Sequence, residues 1–122
     1  MTPLRAVLED NTTEAHMYAA LRSAARIGGW ALYHTWRSDH SEAGFPDILA
    51  IRGGELLVFE CKTRTGKVRA AQVDWLEAFR VFADAHGLGH EWLEARVIRP
   101  ADIPACIQRL ASRPGMLQAE VM

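Results

Sequence analysis

The sequence is poor in cysteine. Its two cysteines, Cys61 and Cys106, are isolated in a chain of 122 residues, and neither belongs to a CxxC pair. A disulfide framework or a structural zinc site needs clustered cysteine or histidine residues at short spacings. The sequence therefore predicts a single domain that is stabilised by its own hydrophobic core, which a chain of this length can bury.

Long apolar runs and a strong net charge are also absent. No stretch approaches the roughly 20 apolar residues of a membrane span, and the N-terminal MTPLRAVLEDNT lacks the basic and apolar regions of a signal peptide. We therefore expect a cytoplasmic protein that has no membrane partner. The net charge of −1 excludes a polycation that binds nucleic acid indiscriminately, so any such contact must come from a local basic patch.

What is present is a regular succession of helix and strand patterns. Segments 13–27 and 69–84 have apolar residues at helical spacing, and the first of them ends at Gly28-Gly29. A short last helix follows, which Asp102 is placed to cap. The residues that we expect to face inward in the last two helices are Trp75, Leu76, Phe79, Phe82, Ala83, Ile103, Ile107 and Leu110.

Four β-type runs alternate with these helices, and they read WALYHTW, DILAI, ELLVFECK and EWLEARVI. The resulting order α-β-β-β-α-β-α predicts an α/β fold with a mixed central sheet flanked by helices. We assign residues 13–112 to this domain, residues 1–12 to an N-terminal arm and residues 113–122 to a C-terminal tail.

Charged residues stand at the ends of the two central apolar strands, in GFPDILAIRGGELLVFECK. If Gly53-Gly54 form the two-residue turn of a hairpin, Asp47 falls directly opposite Glu60, and Lys62 points to the same face of the sheet. Opposed carboxylates repel each other unless a cation lies between them. A divalent ion such as Mg²⁺ fits, because it prefers one or two carboxylates together with water and phosphate.

A second interpretation of these residues needs no metal. Asp47 can begin a turn after Pro46, and Glu60 and Lys62 can be exposed at the end of a strand. The direct opposition of the two carboxylates and the basic loop that follows Lys62 favour the metal site.

Two polar residues, Glu14 and Gln72, lie on the apolar stripes of their helices. Gln72 precedes Trp75 by three residues, and we expect its side chain to contact a bound phosphate or Lys62. Glu14 is a candidate metal-site residue that acts through water. The alternative for Glu14 is a capping box in which Asn11 is the N-cap residue.

The segment KTRTGKVR, residues 62–69, contains four basic residues and no acidic residue. Such a run is often only a solvated loop. Directly after Lys62 it favours contacts with phosphates, which are sensitive to salt and independent of base sequence. The candidate DNA-binding residues are Arg64, Lys67, Arg69 and Thr63, with Ser41 from the preceding polar loop.

The pair Pro46-Asp47, followed by Glu60-Cys61-Lys62, resembles the PD-(D/E)xK nuclease signature. With Glu14 in the first helix and Gln72 opening the next one, the ordered set resembles the VRR-NUC branch over roughly residues 14–110. That branch includes small stand-alone phage and bacterial nucleases. Cys61 departs from the branched aliphatic residue that is commoner in the family, and we expect it to pack in the core.

The resemblance implies a role for each matching residue. Asp47 and Glu60 would bind Mg²⁺, which Mn²⁺ could replace, and the backbone carbonyl of Cys61 would be a further ligand. Lys62 would orient or help to deprotonate the attacking water and would stabilise charge on the phosphate. The metal would lower the pKa of that water and polarise the phosphoryl oxygen.

We therefore predict a metal-dependent DNA endonuclease that selects branched DNA such as Holliday junctions or flaps. The alternative is a non-catalytic module that binds nucleic acid or a partner on the same fold. Symmetric cleavage of a junction requires two active sites, which implies a homodimer. The apolar residues of both termini, Leu4, Val7 and Leu8 among them, are candidates for its interface, unless they fold back over the core.

Overall fold

A computed structural model describes residues 4–35 and 42–112 of the chain. Three α-helices and four strands follow one another in the predicted order, and an additional α-helix lies at the N-terminus, inside the segment assigned to the arm. A short 3₁₀ helix, Pro100–Asp102, precedes the last α-helix. The elements are α1 (Leu4–Asp10), α2 (Glu14–Gly28), β1 (Ala31–His34), β2 (Ile48–Arg52), β3 (Glu55–Cys61), α3 (Ala70–Ala85), β4 (Leu93–Ile98) and α4 (Ile103–Ala111).

The four strands form one mixed sheet in the order β1-β2-β3-β4, so the predicted fold class is confirmed. The first three strands are antiparallel, and β4 is parallel to β3 because α3 carries the chain back across the sheet. Arg52 pairs with Glu55, as the two-residue turn requires. Gly53 has a φ of 56°, a conformation that suits the first central position of such a turn.

The sheet separates two apolar layers. Helices α2 and α4 pack on one face, where Met17, Leu21, Phe59 and Leu110 belong to the larger core cluster. Helix α3 packs on the other face, where Leu76 and Ala83 meet residues of β3 and β4. Alternate residues of a strand face opposite layers, so the side chains of Asp47, Glu60 and Lys62 belong to the α3 face.

Two residues that were expected to face inward do not. The side chain of Phe82 is 53% exposed, and that of Ile107 is 36% exposed. Helix α3 is fully buried only along the line of Leu76 and Ala83, which are seven residues apart, so Phe82 lies beside the contact. In α4 the buried line runs through Cys106 and Leu110, and Ile107 lies next to it.

The ends of two helices also differ from the sequence-based interpretation. The N-cap residue of α2 is Thr13 and not Asn11, because the Thr13 hydroxyl accepts a hydrogen bond from the His16 N–H at 3.1 Å. Asp102 occupies the N-cap position of α4, but its carboxylate makes no capping bond there. It instead accepts the Arg99 N–H at 2.8 Å and so closes the preceding 3₁₀ turn.

The layer on the α3 side covers only part of the sheet. Tyr33 of β1 is 59% exposed and Ile51 of β2 is 51% exposed, although both lie on this face. Within residues 4–35 and 42–112, the α3 face of β1 and β2 is therefore an uncovered apolar surface. No helix within the described ranges combines the length and the apolarity needed to cross a bilayer.

Candidate active site

Two carboxylates meet where β2 begins and β3 ends. Asp47 directly precedes β2, and its backbone carbonyl accepts the Thr35 N–H at 2.8 Å, which continues the ladder of β1 and β2 by one residue. The Asp47 Oδ2 atom accepts the backbone N–H of Cys61 at 2.8 Å. This bond holds the Asp47 side chain against the end of β3, beside Glu60.

The loop before Asp47 is held by close packing. Gly44 has a φ of 80°, and a Cβ atom at this position would fall 2.6 Å from the carbonyl oxygen of Ala71 in α3. Phe45 packs edge to face on Trp75 at 5.0 Å between ring centroids, and Pro46 is buried. These contacts attach the approach to Asp47 to the first turns of α3, which explains the need for glycine at position 44.

Glu60 is a buried acid in an unfavourable environment for its charge. Glu60 is 2% exposed, and its Oε2 atom has no hydrogen-bond partner within the part of the chain that the structure describes. Burial, followed by the adjacent carboxylate of Asp47, raises the pKa of Glu60 to about 8, although Lys62 acts in the opposite direction. A carboxylate with these properties is stabilised by a cation.

Lys62 and Gln72 both reach Glu60. The Lys62 Nζ atom lies 3.9 Å from Glu60 Oε1, and its side chain is only 13% exposed. Gln72 Nε2 donates to the same oxygen at 3.0 Å, whereas Gln72 Oε1 accepts the backbone N–H of Arg69, the N-cap residue of α3, at 2.8 Å. The contact of Gln72 is thus with Glu60 and not with Lys62, and the bond to the Arg69 N–H fixes the direction of its side chain.

Glu14 opens α2 and is exposed, and with Asp47 and Cys61 it lines a cavity of about 360 Å³. The rings of Tyr18 and His34 stack at 3.8 Å between centroids and form another wall of this cavity. The Cys61 side chain is buried in the core on the opposite face of the sheet from Glu60, as predicted. Burial raises the pKa of its thiol, so it remains a neutral apolar group.

The donor atoms at this site suit a cation that needs few protein ligands. Among residues 4–35 and 42–112, no group of three or more histidine, cysteine, aspartate or glutamate side chains is arranged to hold a metal ion. The carboxylates of Asp47 and Glu60 are adjacent, and Glu60 Oε2 has no partner among the described residues. Two carboxylates fit Mg²⁺, which takes water and phosphate as its other ligands. The role of Glu14 as a ligand through water stays a prediction.

The basic loop after β3 lies beside this site. Within it, the Arg64 side chain is paired with Asp10 of α1 at 2.9 Å. Lys67 and Arg69 are exposed, and Ser41 lies outside the described residues. The contacts of these residues with DNA stay predictions.

Sequence reasoning missed Arg99, the residue that organises this loop. Its guanidinium donates to the backbone carbonyls of Thr63 and Gly66 at 2.8 and 3.0 Å. Arg99 follows β4, more than thirty positions from the loop in the sequence, and no local motif indicates the contact. The one indication of this contact was the parallel pairing of β3 and β4. Parallel strands have their C-terminal ends side by side, so the segments that follow them are neighbours.

The raised pKa of Glu60 predicts how the stability of the metal-free protein changes with pH. Folded Glu60 binds its proton up to about pH 8, whereas the unfolded side chain releases it near 4.5. The contribution of Glu60 to the free energy of unfolding is therefore fully present below pH 4.5 and is lost as the pH rises through 8. This loss lowers the free energy of unfolding by on the order of a few kcal/mol. Urea unfolding at several pH values, compared with Glu60→Gln, measures this loss. Equal slopes in both proteins would contradict it.

Most of the chain matches a protein-family model. The family model described as archaeal Holliday junction resolvase (Hjc) matches residues 15–104, which is most of the chain. The matched range contains Asp47, Glu60, Lys62 and Gln72 and begins directly after Glu14. No curated protein and no solved structure matches the chain.

Proposed function

Because the chain belongs to the archaeal Holliday junction resolvase family, a nuclease family of the PD-(D/E)xK type, we propose that it is a metal-dependent endonuclease that cleaves four-way DNA junctions. The observation that carries the proposal is the pair of adjacent carboxylates, Asp47, which lines the cavity, and the buried Glu60, beside a nearly buried lysine. The finer assignment to the VRR-NUC branch stays a prediction.

Each residue of the site has a separate task in this proposal. Asp47 and Glu60 hold a divalent cation, which supplies a water of lowered pKa and a polarised phosphoryl oxygen. Lys62 orients or deprotonates the attacking water and stabilises negative charge on the phosphate. Gln72 positions Glu60 through its hydrogen bond of 3.0 Å. The alternative, a non-catalytic binding module, gives no purpose to the pairing of Asp47 with the buried Glu60, which is unfavourable without a cation.

The proposal is tested by a cleavage assay on a linear duplex, a 5′ flap and a four-way junction of matched sequence. With Mg²⁺ or Mn²⁺ we expect the four-way junction to be cleaved fastest, and with EDTA we expect no cleavage. Equal rates on all three DNAs would remove the preference for junctions. Binding without cleavage of any of them would favour the non-catalytic alternative.

We further propose that the protein acts as a homodimer. A four-way junction has two equivalent strands to cut, which requires two active sites of related orientation. A second copy can cover the uncovered apolar surface of β1 and β2 (Ala31, Tyr33, Leu49 and Ile51), which forms a groove with Phe45. A second apolar groove on this side is lined by Leu56, Trp75, Phe79, Phe82 and Leu93.

This surface is a stronger candidate than the termini. It lies on the same face of the sheet as Glu60, so a two-fold axis through it would direct both active sites to one DNA. Helix α1 also exposes Leu4 and Leu8, at 73% and 61%, but it is a short helix at the edge of the domain. The C-terminal tail lies outside the described residues.

A charge placed on this surface is expected to separate the subunits. Ile51→Glu should convert the dimer to a monomer in light scattering at micromolar concentration, because an uncompensated carboxylate would be buried in the interface. Leu8→Glu is the matched control on α1 and should leave the dimer intact. Dissociation by Leu8→Glu alone would move the interface to the N-terminus, and a 13.6 kDa wild-type monomer would exclude the dimer.

A further inference from the structure

The turn that follows Lys62 has its carbonyl groups directed at one guanidinium. Arg99 Nη1 donates to the carbonyl oxygens of Thr63 at 2.8 Å, of Gly66 at 3.0 Å and, less closely, of Arg64 at 3.4 Å. The Gly66 N–H closes the turn on the Thr63 carbonyl at 3.2 Å. Hydrogen bonds from a charged donor are stronger than neutral ones, so Arg99 determines which way these peptide groups point.

Arg99 is itself held firmly at the end of β4. Its backbone N–H donates to Asp102 at 2.8 Å, and its carbonyl accepts the Asp102 N–H at 2.8 Å. The Asp102 carboxylate also binds Arg96 at 2.9 Å. The neighbouring residue, Ile98, accepts the backbone N–H of Lys62 at 2.9 Å, so the turn and Lys62 share one support.

The orientation of the carbonyls determines the orientation of the amides. In a trans peptide the N–H points opposite to the C=O, and the chain contains no cis peptide among its described residues. The carbonyls of Thr63, Arg64 and Gly66 point to Arg99, so the N–H groups of the residues that follow each of them point away from it. These donors belong to Arg64, Thr65 and Lys67, and none has an acceptor within residues 4–35 and 42–112.

The same three residues are exposed, and their surroundings attract anions. Two of them carry positive side chains. The charge of Arg64 is offset by the carboxylates of Asp10 at 2.9 Å and Glu9 at 3.9 Å, so Lys67 supplies the positive charge that attracts an anion. Backbone N–H groups that converge in a turn are a common binding arrangement for phosphate oxygens. The turn therefore offers exposed amide donors beside a positive side chain.

We propose that the backbone N–H groups of Arg64, Thr65 and Lys67 form a phosphate-binding site, which Arg99 holds in position from behind the turn. The site begins two residues after Lys62, so it takes a backbone phosphate of the DNA near the one that is cleaved. This assignment rests on the proposed function for its ligand, which is DNA. Arg99 is a positioning residue and does not itself contact the phosphate.

Amide NMR of the full chain tests the site directly. On titration with a four-way junction in EDTA, which prevents cleavage, the amide protons of Arg64, Thr65 and Lys67 should move downfield. The Gly66 amide proton is the internal control, because it already donates to Thr63, and it should move least. If all four signals move alike, or if none moves while the junction binds, the site is refuted.

Two pairs of variants separate the backbone from the side chains. Thr65 has a negative φ, like every described residue other than glycine, so Thr65→Pro removes its N–H without demanding a left-handed conformation. Thr65→Pro should bind the junction about tenfold more weakly than Thr65→Ala. Arg99→Gln should weaken binding similarly, and Arg99→Lys should restore it only in part, because lysine keeps the charge and the donors but its shorter side chain ends before the position of Arg99 Nη1.

The outcomes distinguish this site from the proposed function. Equal affinities of Thr65→Pro and Thr65→Ala, with normal cleavage of the junction in Mg²⁺, would refute the site and leave the function intact. Shifts of the three amide protons without cleavage of any DNA in Mg²⁺ would support the site and remove the proposed nuclease activity. If Thr65→Pro does not fold, the wild-type NMR titration decides.

Discussion

Replacement of Glu60 by glutamine is expected to reduce cleavage of a four-way junction by about a thousandfold or more, because each 1.4 kcal/mol of lost metal assistance costs a factor of ten. Glutamine has nearly the shape of the neutral acid, which is the form that burial favours in the absence of metal. It can still accept the hydrogen bond from Gln72. The loss should therefore reflect the metal site and not the fold.

Calorimetry provides the second measurement for this variant. Wild-type protein should bind Mg²⁺ or Mn²⁺, and more tightly at pH 8 than at pH 6, since the cation must displace the proton of Glu60. Glu60→Gln should bind neither ion detectably. Glu94→Gln is a matched control on β4, where Glu94 pairs with Arg96 at 3.3 Å. This variant should retain both the cleavage of the junction and the binding of the metal ion. Full cleavage by Glu60→Gln, or by the wild type in EDTA, would remove Glu60 from the site.

Replacement of Lys62 by methionine is expected to lower the turnover number by about a hundredfold to ten-thousandfold, the usual contribution of a group that moves a proton in the transition state. Methionine keeps an apolar stem in a position where the side chain is 13% exposed. Binding of the junction in Ca²⁺ should change little, because a nearly buried ammonium contributes little to the attraction of distant phosphates.

Lys67→Met is the opposite case, and the two variants should be measured together. Lys67 is exposed in the basic loop, so its removal should weaken binding and reduce the slope of log K against log salt by roughly 0.9. Its turnover number at saturating DNA should remain close to that of the wild type. If Lys62→Met weakens binding and Lys67→Met abolishes turnover, the two roles have been assigned to the wrong residues.

The strand arrangement of the active site was accessible from the sequence because its geometry is local. Two glycines between apolar runs fix a two-residue turn, and the pairing of Arg52 with Glu55 confirms that register. Side chains alternate along a strand, so the positions of Asp47, Glu60 and Lys62 on one face followed by counting. The burial of Cys61 on the other face followed from the same count.

Contacts between elements were predicted less well. Gln72 was expected near Lys62 or a phosphate, whereas its amide binds Glu60 at 3.0 Å. Its position on the inward side of α3 was clear from helical spacing, but the side chain that it meets depends on how α3 lies across β3. A small rotation of a helix on a sheet exchanges the neighbours of a residue, and helical periodicity carries no information about that rotation.

The order of the elements, the hairpin register and the face on which each charged residue of the strands lies therefore follow from local patterns in the chain. Three other features follow only from packing in three dimensions. Arg99 binds the carbonyls of the turn after Lys62, and among residues 4–35 and 42–112 nothing covers the α3 face of β1 and β2 or pairs with Glu60 Oε2. The physical reason is distance along the chain. Turn geometry and alternation act over a few residues, whereas these three features depend on the packing of segments that are tens of residues apart.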